Sequence, residues 1–204
     1  MAEMIPKIRF RYSRIYDKRY RENPLIQDKL KKEGKVYPSD KKIRNYIKKI
    51  EQIWEKSEEK ILKEMEKITS LKWQEKEIIC YVIGAGSPFS DPLTIRIHES
   101  KNRFIDILIH ELIHQILSQN SVKNRKWWKY VNARYTEETL SSKVHILVHT
   151  IYEIIYLKLF DKRRLSEDIK ESQRPKAIDY RRAWEIVQEE GAENIIKKFQ
   201  EVIK

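Results

Sequence analysis

The sequence predicts an α+β fold, mostly helical with a small sheet. Three observations carry that expectation. Ile43, Ile47, Ile50, Trp54, Ile61, Met65 and Ile68 recur at spacings of three, four or seven, the signature of one apolar helix face. Two short β-prone runs, 78–83 and 93–97, flank a loop holding two glycines and two prolines. From residue 100 onward the chain reads as a series of helices.

Each element has a local reason. Residues 8–15 alternate basic with apolar and aromatic side chains, which predicts a short strand. Asn23-Pro24 and Gly34 punctuate the chain before Ser39, so residues 1–38 read as an N-terminal extension. Ser39 offers an N-cap and Asp40 a favourable first-turn charge for one helix of about 28 residues. The run 78–83 is continuously apolar, as a buried strand is. The run 93–97 alternates, as an edge strand beside a cleft does. Ser100 caps a helix that reaches about Gln119, and a loop is expected over 121–135. Thr136 then caps a long helix from Glu137 to about Phe160. Residues 161–175 form a polar connector with weak helix at 166–172, and two last helices, 177–190 and 192–203, hinge at Gly191. The expected division is an extension (1–38), a catalytic domain (39–160) and a C-terminal helical segment packed on it (161–204).

Composition narrows the class. The chain has 204 residues, 40% of them hydrophobic, enough for a sizeable core. Its single cysteine excludes a disulfide scaffold or a cysteine-based zinc knuckle. No apolar run approaches a membrane span, and the N-terminus lacks the apolar stretch of a secretory signal, so a soluble cytoplasmic protein is expected. The formal charge of +12 invites a nucleic-acid partner. The tightest basic stretch, Lys123-Asn-Arg-Lys-Trp-Trp-Lys129, reads either as a phosphate-contacting, base-stacking patch or as a solvated loop whose tryptophans pack on the domain. The second reading is favoured, because no nucleic-acid motif accompanies the patch.

The chemistry lies in His110-Glu111-Leu-Ile-His114. On a helix, i and i+4 share a face one turn apart, so both imidazoles reach one metal ion, and the intervening Glu is offset to act as a general base. With five His and 23 Glu in the chain, chance supplies about 0.01 such matches. The flanking residues are apolar nearly all round, which predicts a buried helix whose polar side chains need partners. A catalytic zinc takes a third protein ligand and keeps one open position. Candidates downstream are Glu137, Glu138, His145 and His149. The residues after His114 exclude an extended HExxHxxGxxH pattern.

An HExxH helix with a glutamate about 24 residues later on a second helix resembles the gluzincin clan of zinc peptidases. The short chain is similar to the prokaryotic minigluzincins, with their backing helix, small sheet, active-site helix and glutamate helix. The resemblance covers residues 40–160 and rests on HExxH as its one specific motif. It implies a zincin-like fold, Zn2+ as cofactor, and a peptide or protein substrate lying extended along the strand at 93–97. It also implies His110, His114 and a glutamate as ligands and Glu111 as the base. Glu138 is favoured over Glu137, since on the expected helix it shares a polar face with Ser142, His145 and His149. Ser142 stands where many gluzincins place an acidic residue one turn after the ligand. His145 is expected to hydrogen-bond the site or donate to an oxyanion, and Tyr180 is a further candidate donor. One competing expectation is an inactive, metal-stabilised binding protein that contacts nucleic acid through its basic surface. Another is a latent enzyme whose C-terminal helices cover the cleft.

Overall fold

The computed structural model describes residues 4–204. The fold is α+β and mostly helical, with ten helices and a four-stranded mixed sheet among the described residues. Its contacts divide the chain at neither expected boundary. They divide it into a sheet unit, Ile5–Glu59 with Glu75–Leu112, and a helical unit built mainly of Lys60–Gln74 and Ile113–Lys204. The segment 5–38 belongs to the sheet unit and supplies a strand of the sheet.

In the sheet unit, β1 (Lys7–Arg11) is shorter than expected. Ser13 ends the extended run by capping α1 (Arg14–Arg21), its hydroxyl accepting from the Tyr16 amide. Asn23 caps α2 (Pro24–Lys32), with proline in the first turn. Ser39 caps α3 (Asp40–Trp54) as expected. The predicted 28-residue helix breaks after Trp54, and α4 (Glu58–Thr69) is a separate helix. Glu58 accounts for the break. Its buried carboxylate accepts from Trp54 Nε1 at 3.0 Å and from the Ile8 amide at 2.7 Å, and pairs with Lys7. Satisfying one buried carboxylate thus outweighs continuing the helix. The apolar stripe survives in two pieces. Ile43, Ile47, Ile50 and Trp54 are buried in the sheet unit, and Ile61, Met65 and Ile68 in the helical unit.

The sheet is completed by β2 (Glu77–Ile83), β3 (Phe89–Ser90) and β4 (Leu93–Arg96), in the order β1-β2-β4-β3. β2 pairs parallel with both β1 and β4, and β3 pairs antiparallel with β4. The expected edge strand at 93–97 is therefore internal, with Leu93, Thr94 and Ile95 buried. β3, hidden in the expected loop, takes the edge. β3 covers the outer side of β4 only at Leu93 and Thr94. Asp17 fixes the end of β2. Buried completely, it accepts from the Gly84 amide at 2.9 Å, the Tyr37 hydroxyl at 2.6 Å and Arg21 at 3.1 Å. Residue 84 must be glycine for this, since a Cβ there would meet the Tyr37 ring at 2.3 Å.

Both units contain part of one unbroken helix, α5 (Lys101–Gln119), which Ser100 caps through the Arg103 amide. In the sheet unit, Phe104 packs its ring against Phe10 and Tyr46. The helical unit holds α6 (Ser121–Arg134), α7 (Leu140–Leu159), α8 (Lys162–Ser172), α9 (Ile178–Glu190) and α10 (Ala192–Val202). α6 replaces the expected loop. α7 is buried on nearly every side, with α8, α9 and α10 packed on it. Gly191 turns the chain between the last two helices at φ +83°, a left-handed conformation that favours glycine. Among the described residues, no helix is long and apolar enough to cross a membrane.

Candidate metal centre

α5 places His110 and His114 one turn apart on one face, both half-buried, and buries Glu111 beside them. Apolar residues surround the motif because the helix is buried on most of its circumference. α7 brings in His145, whose ring lies 5.2 Å from that of His114 and nearly perpendicular to it. One ligand atom from each of His110, His114 and His145 lies within 4.8 Å of the other two.

The donor set fits a metal ion on a specific ground. His145 Nδ1–H donates to the Ser141 carbonyl, one turn back on α7, at 2.8 Å. That bond fixes the tautomer in which Nε2 carries the lone pair, the arrangement in which histidines commonly bind metals. Burial, reinforced by His145, pushes His114 down to about 4, and burial lowers His145 too. Both are therefore neutral near pH 7, as ligands must be. Tetrahedral zinc bonded to nitrogen at about 2.0–2.1 Å needs its ligand atoms about 3.3 Å apart, a modest closure of the three rings. Glu111 is pushed up to about 7 by burial.

Glu138 stands apart from the three histidines. Glu138 is not on the helix, because Thr139 rather than Thr136 caps α7, its hydroxyl accepting from the Ser142 amide at 3.1 Å. Thr139 in turn donates to Asp179 on α9 at 2.9 Å. Glu138 is left in the preceding turn, where Arg182 Nε donates to it at 2.9 Å. It is not part of the histidine cluster. Glu137 is exposed and accepts from Thr136. The shared face of Glu138, Ser142 and His145 on which the choice rested does not form. Ser142 is buried and donates weakly to the Asp179 carbonyl.

His145 and His149 separate in role. His149 is 2% exposed and stacks on Trp184 of α9 at 4.3 Å, with its ring tilted by 13°. Tyr180, one turn earlier on α9, lays its ring 4.0 Å from His145 while remaining partly exposed. Reading the sequence alone missed the Ser141 carbonyl and Trp184. The only available signal for the first was that any helical His can reach the carbonyl four residues back. The basic stretch 123–129 lies on α6, with Trp127 buried against Phe199 at 5.5 Å and Trp128 half-buried, so the packing reading holds for Trp127.

Compared with protein-family models, curated proteins and solved structures, the chain matches none.

Proposed function

We propose that the protein is a metal-dependent hydrolase, most specifically a zinc peptidase, with His110, His114 and His145 as the metal-holding set. The observation that supports it is the convergence of these three rings beside Glu111, with the tautomer of His145 fixed from behind. A zinc ion held by three histidines supplies Lewis-acid polarisation of a carbonyl and acidifies a water molecule. The chain's own groups do the rest. Glu111 takes a proton from the attacking water and delivers it to the leaving amine. Tyr180, whose ring lies 4.0 Å from that of His145, is the candidate hydrogen-bond donor to the developing oxyanion. A purely structural metal site has no use for a buried carboxylate at position 111, which favours turnover over a binding role.

Latency through a removable C-terminal tail has little support. Trp184, Ile186, Val187 and Phe199 are core residues of the helical unit, so cutting before Ala177 would unfold it rather than uncover a site. The test uses the full chain. Purified protein should contain about one zinc per chain by elemental analysis, and a peptide library should show chelator-sensitive cleavage. Zinc without cleavage would leave a non-catalytic metal site, and absence of zinc would remove the proposal.

A further inference from the structure

Within the sheet unit, an open cavity of about 420 Å³ is lined by Ser39, Lys41, Lys42, Asn45, Tyr46, Lys49 and Lys101. We propose that this cavity binds phosphate groups. Four of the seven lining residues are lysines and none is acidic. Lys42, Asn45, Tyr46 and Lys49 fall at i, i+3, i+4 and i+7, so α3 presents them on one face. Lys101 reaches the cavity from the first position of α5, its ammonium 4.5 Å above the Tyr46 ring.

The lysines of this cavity differ from many others on the molecule. Lys7, Lys72, Lys158 and Lys198 each pair with a glutamate. Among the described residues, Lys41, Lys42, Lys49 and Lys101 make no ion pair. Asp40, next to Lys41 in sequence, is drawn away by Arg21 at 2.7 Å, and Lys101 Nζ donates to the backbone carbonyl of Glu99, not to its carboxylate. Four cations without a carboxylate partner around one concavity repel one another, and a multiply charged anion relieves that repulsion. The starts of two helices add to the same sign, since Ser39 caps α3 and Lys101 opens α5. The volume suits a group of nucleotide size, and Ser39 and Asn45 supply neutral hydrogen-bonding partners. The ligand chemistry is therefore phosphate, whether on a free polyphosphate or in a nucleic-acid backbone.

The experiment measures two probes on the full chain. A fluorescein-labelled 15-nucleotide single strand is followed by anisotropy, and inorganic pyrophosphate by calorimetry. The variant Lys42→Gln/Lys49→Gln/Lys101→Gln is compared with the control Lys123→Gln/Lys126→Gln/Lys129→Gln, which removes equal charge from α6. Circular dichroism confirms that both remain folded, which is expected because the replaced α3 and α6 lysines are exposed. The cavity variant should bind at least 10-fold more weakly, and the control should change less than 3-fold. The salt dependence of strand binding should lose a slope of about 2 in the cavity variant alone. Pyrophosphate binding lost in the cavity variant identifies a free polyphosphate as sufficient. Strand binding without pyrophosphate binding identifies the backbone. Equal losses in both variants, or no binding of either probe, overturn the proposal.

Discussion

Two histidine pairs in this protein share one spacing and meet different surroundings. His110 and His114 on α5 are both half-buried and have Glu111 between them. His145 and His149 on α7 have only apolar residues between them, and α9 packs across both. The first pair acts as a unit. The second is divided, with His145 turned toward His114 and His149 sealed under Trp184. The i, i+4 spacing provides only a shared face. What packs against each turn of that face decides whether a ring joins the histidine cluster or the core.

The largest effect expected from breaking this comparison is at the first pair. Replacing both His110 and His114 with Ala should abolish stoichiometric zinc in the purified protein, as read by elemental analysis. Undiminished zinc would show that the first pair is not the metal's seat. Next comes Glu111→Gln, which keeps the side chain's size and removes its basicity. Peptide cleavage should fall by at least about 10²-fold while zinc content stays within 2-fold. Equal cleavage by this variant would disprove its role as the base.

The second pair gives the sharpest contrast. His145→Ala should weaken zinc affinity by at least about 10-fold, measured against a chromophoric chelator. His149→Ala should instead empty a packed site and cost about 2–4 kcal/mol of stability in denaturant unfolding, with zinc still bound by the folded fraction. If the two results were exchanged, the assignment of the two rings would be exchanged with them. The smallest effect belongs to Glu138→Ala. Its partner Arg182 is partly exposed, so the loss should be at most about 1 kcal/mol, with zinc affinity unchanged. A strong loss of zinc would restore the glutamate ligand that the family resemblance implies.

Where burial tracked periodicity, the sequence was readable. β2 and β4 announced themselves by β-prone runs, α3 by its apolar stripe, and α5 by its cap and its unbroken apolar circumference. α6 gave no such signal, because it buries only Trp127 and Val131 and leaves the rest of its surface polar. The break after Trp54 depends on where a single carboxylate finds its donors, and two of those donors lie about fifty residues away. The start of α7 has the same kind of cause. Thr136 and Thr139 are equally good caps by local chemistry. Asp179, forty residues further on, supports the second and shifts the helix start by one turn. That shift removes Glu138 from the helix and leaves His145 facing the pair on α5. His110, Glu111 and His114 were legible as a group because one helix carries all three, whereas the place of His145 beside them depends on where α7 starts, which a contact from α9 supports.

The position of β1 in the sheet also bears on how the protein is made. Lys7 pairs with Glu77, so about seventy residues must be synthesised between a strand and its first partner. At about 5–20 residues per second, that leaves the strand alone for about 4–14 s. An unpaired strand carrying Ile8 and Phe10 invites capture by a neighbouring chain. Lys7, Arg9 and Arg11 alternate with those two residues, placing a positive charge at every second position. Like-charged copies growing on one message repel one another along that edge. The same charges are used again once β2 arrives, when Arg9 pairs with Glu77 and Lys7 with Glu58. The strand thus keeps its gatekeepers during translation and turns them into ion pairs in the folded sheet.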